Sequence, residues 1–338
     1  MKTKFRSKPG IPLGRAAQVH PFIDFLDEIG APIEVGFERN KLPLNLRECP
    51  EMLANVPAMF AFVADMARME GIDEIGWRAP RLTQLSPHLL QRFNRSPTLL
   101  HALEELCRHS RRESSHAEVW LEPRGDTRIL CHRSSMEIGD IGSNEASMMQ
   151  SVVLLSIVRT FAGPDWVPAE IGLPIQGQIG PIVRGALGDA RIRQTPNYGW
   201  LHLPRSILAR PPRTRVPVEP RPGMERGDEP APDLFGSLVQ LLHPYLSQKP
   251  PSIRDAADLA GTSVRTLQRE LTRGGSSYRD VLQRVKFNAA CELLKQPDTK
   301  LVEIAYATGF QNPPHFTRFF RRLAGMTPRE YRATLSED

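Results

Sequence analysis

Two groups of polar side chains stand out for their spacing. Arg265, Gln268 and Arg269 fall at i, i+3 and i+4, which on a helix sets all three on one face. Further along, His315, Thr317 and Arg318 form a comparable group. A guanidinium is a rigid fork of donors that pairs bidentately with the O6 and N7 acceptors of guanine, and a glutamine carboxamide pairs the same way with adenine. Such faces suit base edges in a major groove. Phosphate competes for any arginine, and Arg269 and Arg318 fit a phosphate or an acid within the domain as well as a base. His315 fits plain helix packing equally well. Arg321, Arg322, Arg284 and Lys286 suit phosphate or water.

Both groups sit inside one pattern written twice. The first copy runs Ile253-x-x-Ala256-Ala257-x-x-Ala260-Gly261 and then Leu267-x-Arg269; the second runs Leu301-x-x-Ile304-Ala305-x-x-Thr308-Gly309 and then Phe316-x-Arg318. The alanine and glycine pairs are 48 residues apart and the later pairs 49, so the second copy carries one extra turn residue. An apolar stripe at i, i+3, i+4, a glycine stop and a second short stripe predict a helix-turn-helix, with a small residue letting the second helix approach.

The joining segment agrees. Ser276 or Ser277 caps a helix whose Tyr278, Val281, Leu282, Val285, Ala289 and Leu293 repeat at helical spacing to Leu294. Gln296-Pro297 ends it, and Asp298 or Thr299 is expected to cap the next helix. Asn312 is placed to cap the second recognition helix, with Pro313 and Pro314 in a first turn that tolerates them. Thr327-Pro328-Arg329-Glu330 is a capping box opening a last short helix. The region therefore predicts about seven short helices.

Ala260-Gly261-Thr262-Ser263-Val264-x-Thr266-Leu267-Gln268-Arg269, Glu303-Ile304-Ala305-x-x-x-Gly309-Phe310, His315-Phe316-Thr317-Arg318-Phe319-Phe320-Arg321-Arg322 and Gly325-Met326-Thr327-Pro328-x-x-Tyr331-Arg332 together resemble the DNA-binding domain of AraC/XylS-family transcription regulators. The resemblance covers about the last hundred residues. It implies a cytoplasmic bacterial regulator, DNA contacts at Arg265, Thr266, Gln268, Arg269, His315, Thr317, Arg318 and Arg322, and double-stranded operator DNA as the partner. A small-molecule effector, a homodimer and, for an activator, RNA polymerase are further expected partners. The chain departs from the family in Pro313-Pro314, which stand where a polar pair is commoner.

Charge follows the same boundary. From Lys249 onward there are 15 Lys and Arg against 10 Asp and Glu, which is five of the chain's net +6. Basicity concentrated in the doubled motif is the footprint expected for phosphate binding. A length of 338 residues suits two domains, and 40% hydrophobic with 24% charged residues is a globular composition. Met1 to Gly10 is basic without an apolar stretch, unlike a secretion signal. The most apolar run, Met148 to Val158, is broken by Gln150, Ser151 and Ser156 and predicts a buried helix, not a membrane span.

The expected organisation is an N-terminal effector-binding or dimerisation domain over 1–209, a linker over 210–232, and an all-α DNA-binding domain over 233–335. That last domain holds helix-turn-helix motifs at about 252–273 and 300–323. Seven prolines in 210–232 predict a semi-stiff linker without packed elements, after which Asp233 caps a helix. The N-terminal region reads as an α/β or α+β sensor-like domain. Helices are expected over 22–29, 56–69, 97–112 and 145–161, and a hairpin over 117–122 and 127–133 turning at Arg124-Gly125-Asp126. Further strands are expected over 169–173, 190–193 and 200–203. Through the segment Gly188 to Ala209 it more loosely resembles the larger N-terminal domain of a subset of the same family.

Enzymatic chemistry finds little support. Cys49, Cys107, Cys131 and Cys291 lie apart as reduced thiols, and Cys107, His109 and His116 match no standard metal spacing. Cys131-His132 reads as strand alternation between core and surface. Trp120, Trp166 and Trp200 read as core before they read as a pocket. No phosphate-binding glycine loop or nucleophile elbow is present. The expectation is a regulator that is not an enzyme and has no catalytic residue, metal or cofactor. Its rival is a methyl-accepting repair regulator delivered by the same DNA-binding domain, which needs a clustered N-terminal cysteine site. A third reading gives the first domain only dimerisation.

Overall fold

The computed structural model describes residues 10–82, 85–115, 117–134, 136–218, 229–246 and 251–335. Most of the basic start, His116 and residues 219–228 of the proline-rich segment lie outside them. The chain divides into two compact units, Pro12–Pro230 and a second running from Ala231 onward that includes Gly10 and Ile11.

The first unit opens with β1 (Leu13–Arg15), α1 (His20–Glu28), α2 (Ile33–Arg39), β2 (Leu53–Asn55), α3 (Val56–Met69) and α4 (Ile75–Arg78). β1 and β2 pair antiparallel. Asn55 caps α3 by accepting from Ala58 N at 2.8 Å, and Pro57 sits in a first turn that needs no amide there. Met59, Phe60, Phe62, Val63 and Met66 then face inward, with Phe60 edge-on to Phe22 at 6.3 Å. Each such burial stabilises by about 1.5–3 kcal/mol.

α5 (Pro87–Arg95) and α6 (Leu99–Glu113) lead to β3 (Glu118–Arg124), β4 (Thr127–Arg133), α7 (Ser143–Ala162), β5 (Glu170–Leu173), α8 (Pro181–Leu187), β6 (Arg191–Gln194), β7 (Gly199–Leu203) and α9 (Arg205–Leu208). The sheet has strand order β3-β4-β7-β5-β6, with only β5 and β6 parallel. β6 and β7, neighbours in sequence, are separated in the sheet by β5. On one face Leu130, Leu201, Leu203, Ile171 and Leu173 are buried in the core with α7. On the other, the register lines up Trp120, Cys131 and Trp200 across three strands. The unit is therefore of mixed α+β type.

Three expectations change. Trp166 packs on the core, but Trp120 and Trp200 lie on the opposite sheet face. Cys131 and His132 are both fully buried, so the pair is not core and surface in alternation. Residues 210–218 are pinned to the first unit, not free as a linker: Arg213 N donates to Thr160 O at 2.9 Å, and Asn94 exchanges bonds of 2.8 and 2.9 Å with Val216. Val216 and Val218 pack on the core as well. An extended, proline-rich segment has little entropy to lose on docking.

The second unit contains seven α-helices among the described residues: α10 (Leu234–Leu242), α11 (Ile253–Leu259), α12 (Val264–Arg273), α13 (Tyr278–Leu294), α14 (Leu301–Ala307), α15 (Pro313–Ala324) and α16 (Pro328–Leu335). Asp233 caps α10 through Gly236 N at 2.8 Å, and Ile11 N donates to Ser237 Oγ at 2.9 Å.

The buried His132 yields a pH prediction. Its Nε2 stands 2.9 Å from Ser151 Oγ and its Nδ1 2.9 Å from Gln150 Oε1, both on α7. Burial holds its pKa down at about 4, against an ordinary 6.5. Between those values the unfolded chain binds the proton and the folded unit does not. The contribution of neutral His132 is thus complete above pH 6.5 and is lost as pH falls toward 4, by roughly 3 kcal/mol in all. Urea unfolding followed across this range should show that slope, and His132→Gln should flatten it. An unchanged slope would assign the dependence to another group.

Candidate nucleic-acid interface

The two motifs are built by the same pair of backbone bonds. At the end of α11, Thr262 N donates to Ala257 O and Gly261 N to Asp258 O, both at 2.9 Å. At the end of α14, Phe310 N donates to Ala305 O and Gly309 N to Tyr306 O, again at 2.9 Å. These are the paired bonds that close a helix on a left-handed residue, and Gly261 (φ +62°) and Gly309 (φ +75°) supply it. Ala256, Ala257, Ile304 and Ala305 beneath the turns are almost fully buried, so the recognition helices approach closely.

Beyond the turns the offset becomes 49: Ser263 caps α12, whereas Asn312 holds the N-cap place of α15. The extra residue is therefore Gln311, in the second turn. Ser263 Oγ accepts from Thr266 N at 3.1 Å, but Asn312 makes no side-chain cap bond. Proline at the first two helical positions removes two amides, which leaves little for a cap to satisfy. α14 likewise starts on Lys300, whose N–H donates to Glu303 at 3.3 Å, so neither Asp298 nor Thr299 caps it. The expected box at α16 is present, with Thr327 N donating to Glu330 at 2.6 Å and Glu330 N to Thr327 Oγ1 at 3.3 Å.

Counting from the caps fixes which side chains correspond. Leu267 and Leu271 are the buried face of α12, and Phe316 and Phe320 occupy the same places in α15. On the outward faces Arg265 then corresponds to Pro314, Thr266 to His315, Gln268 to Thr317 and Arg269 to Arg318. His315 is thus the partner of Thr266 in the repeat, and Pro314 that of Arg265.

All of these sequence candidates are exposed except Thr266, which is half-buried in the Ser263 cap with its hydroxyl 3.0 Å from Ser263 Oγ. Arg269 Nε reaches Glu270 at 3.4 Å, and Glu270 also holds Arg273 at 3.0 Å. Thr317 Oγ1 donates to Pro313 O at 3.1 Å. Arg322 lies over the Phe319 ring at 5.7 Å and reaches Gln283 at 3.4 Å. The structure brings Arg265, Gln268 and Arg269 together on α12, and His315, Thr317, Arg318 and Arg322 on α15.

One residue has a role that its spacing did not signal. Lys286, on α13, donates its ammonium to Gly309 O at 3.0 Å and stands 4.6 Å from the Phe310 ring centroid. Phe310 in turn packs on Phe316 and Phe319 at 5.6 and 4.9 Å. The ammonium is half-buried and held below the ordinary lysine range by that burial. It caps the turn of the second motif. No local pattern links residues 23 apart across two elements, although an aromatic directly after the turn glycine was a hint.

Among the described residues no group of three His, Cys, Asp or Glu is placed to hold a metal ion. His109 faces Glu105 at 3.6 Å. No helix among them is long and apolar enough to cross a membrane.

Residues 256–334 match the family model described as a helix-turn-helix domain. They form a domain of the AraC type. The chain is similar to bacterial regulators. Over 140 residues it is 30% identical to the ornithine utilization regulator of Pseudomonas aeruginosa, covering 40% of this chain and 41% of that protein. Over 73 residues it is 41% identical to the transcriptional regulator GlxA of Rhizobium meliloti, covering 21% and 22%. Over 107 residues it is 33% identical to the transcriptional activator RhaS of Escherichia fergusonii, covering 31% and 38%. The chain thus spans about two fifths or less of the length of these relatives.

Replacing Lys286 by Met keeps the aliphatic stem and removes the charge. This should lower the stability of the second unit by roughly 1–3 kcal/mol in urea titration, the worth of a charge-assisted bond and a cation–π contact. A midpoint unmoved from that of the parent chain would show the bond to Gly309 to be incidental.

Proposed function

We propose that this chain is a sequence-specific DNA-binding regulator of transcription. In this reading α12 and α15 enter successive major-groove faces on one side of the duplex. The observation that carries it is the pair of identically closed turns, each presenting a short helix with an outward polar or basic face. One chain carrying both heads places them about one helical turn, roughly 34 Å, apart. Arg265, Gln268 and Arg269 then meet bases or phosphates first, with His315, Thr317 and Arg318 at the second groove segment. Arg322 holds backbone phosphate. In this reading the first unit carries a small-ligand or partner signal, and pairing of two chains gives two such sites on one promoter.

Two of the four thiols, Cys107 and Cys131, support a non-enzymatic reading. Burial pushes Cys107 up to about 11 and Cys131 up to about 12, so both stay protonated at neutral pH. A methyl-accepting or nucleophilic cysteine needs the thiolate, which both positions suppress.

Footprinting of the full chain on genomic fragments that it selects should reveal asymmetric protection over two adjacent turns for each chain bound. An obligatory palindrome within the footprint of a single chain would overturn the one-chain, two-head arrangement. Arg265→Ala or Gln268→Ala should cost about 1–3 kcal/mol on the selected site and relax preference at one or two base pairs. Arg322→Ala should weaken all sequences alike and lower the salt slope by about one ion. Unchanged affinity and base preference in Arg265→Ala would take α12 out of the groove.

A further inference from the structure

The first unit holds a groove of about 590 Å³ where α6 runs beside the edge strand β3. That volume lies within the usual range for small-molecule sites. Leu100 from α6 and Leu121 and Trp120 from β3 make its apolar walls, and Arg128 of β4 and Arg108 of α6 stand among its polar groups.

The two guanidiniums differ in what they already hold. Arg108 is bonded to Glu105, a buried carboxylate that also takes Arg92 at 2.7 Å. Arg128 is half-buried, and its guanidinium has no hydrogen bond or ion pair with any described residue. Partly desolvating a guanidinium without an acceptor costs free energy that a bound anion recovers.

The wall beside it is braced in advance. Trp120 donates its indole N–H to Glu122 at 2.7 Å, stands 5.4 Å from the Tyr198 ring and has Arg133 5.6 Å from its centroid. Its polar atom is satisfied and its orientation fixed, so the ring offers apolar surface at little entropic cost. Cys107, held protonated by burial, adds a neutral lining. The exposed Glu104 on the same groove disfavours a second negative charge.

From this juxtaposition of an unpaired Arg128 with Leu100, Leu121 and a braced Trp120, we infer that the groove binds a small organic monoanion. Its acid head lies on Arg128 and its apolar or aromatic body against the three side chains. This names a ligand class for the sensing unit and rests on the proposal that the first unit carries the signal.

The test uses the full chain and two fluorescent probes of similar body: the monoanion 1-anilinonaphthalene-8-sulfonate and its uncharged relative N-phenyl-1-naphthylamine. The sulfonate should bind saturably at one per chain. Arg128→Gln, which keeps polarity and approximate size, should weaken it about ten-fold, the effect of one charge-assisted bond. Binding of the uncharged probe should be the same in both proteins. Arg191→Gln, at the far edge of the sheet, should change neither. Equal sulfonate affinity in the parent and Arg128→Gln chains, or no saturable binding, would overturn the inference. In parallel, affinity for a selected DNA fragment is measured with and without saturating sulfonate. A shift that Arg128→Gln abolishes supports groove and sensing together. Arg128-dependent binding that leaves DNA affinity unmoved keeps the groove and removes the sensing role.

Discussion

Everything in the second unit depends on two left-handed residues. A helix that must stop and turn within three residues leaves its last carbonyls without partners. Here Gly261 and Gly309 let the two following amides fold back onto them. A Cβ at that φ would cost of order 1–2 kcal/mol at each turn. It would also change the direction in which the next helix departs, and the alanines packed beneath leave no slack to absorb the change. The turn thereby sets the presentation of every outward side chain on α12 and α15.

The connecting helix α13 packs on the second motif. Its buried Val285, Ala289, Ala290 and Leu294 form one stripe, and Phe287 meets Phe320 at 5.1 Å. Lys286 extends this to the turn itself, so the second motif is gripped at its closing carbonyl and through its aromatic stack. A groove reader needs such rigidity, because the spacing of two heads has meaning only if the span between them holds its length.

Legibility in the sequence tracked how local each cause was. Ser277, Thr327 with Glu330, and Asp233 are caps within one turn of chain, and the helices there begin where those residues predict. The hairpin at Gly125 and the long α7 were equally local. α2, α5 and α8 are short and depend on the core they cover, so no sustained periodicity announced them. The sheet order was hidden because β7 inserts between β4 and β5, a choice made by burial and not by turn chemistry. The same holds for His132, whose partners Gln150 and Ser151 belong to another element. At the candidate interface the residue types were legible, and so was the offset of 49 that pairs Arg269 with Arg318 and therefore Arg265 with Pro314. The caps add that the extra residue is Gln311.

In the proposed complex that correspondence divides the labour between the heads. α12 exposes Arg265 and Gln268, two side chains able to pair bidentately with a base, while burying only Leu267 and Leu271. α15 opens with two prolines, presents shorter groups at Thr317 and His315, and buries Phe316, Phe319 and Phe320. It then ends in Arg321 and Arg322, charges that complement a helix C-terminus and suit phosphate. In the proposed complex the first head therefore carries most of the sequence discrimination, and the second contributes affinity and register. In that proposed complex a prolyl first turn offers no amide to phosphate, so the arginines of α15, and not its helix N-terminus, are the groups left to meet the backbone.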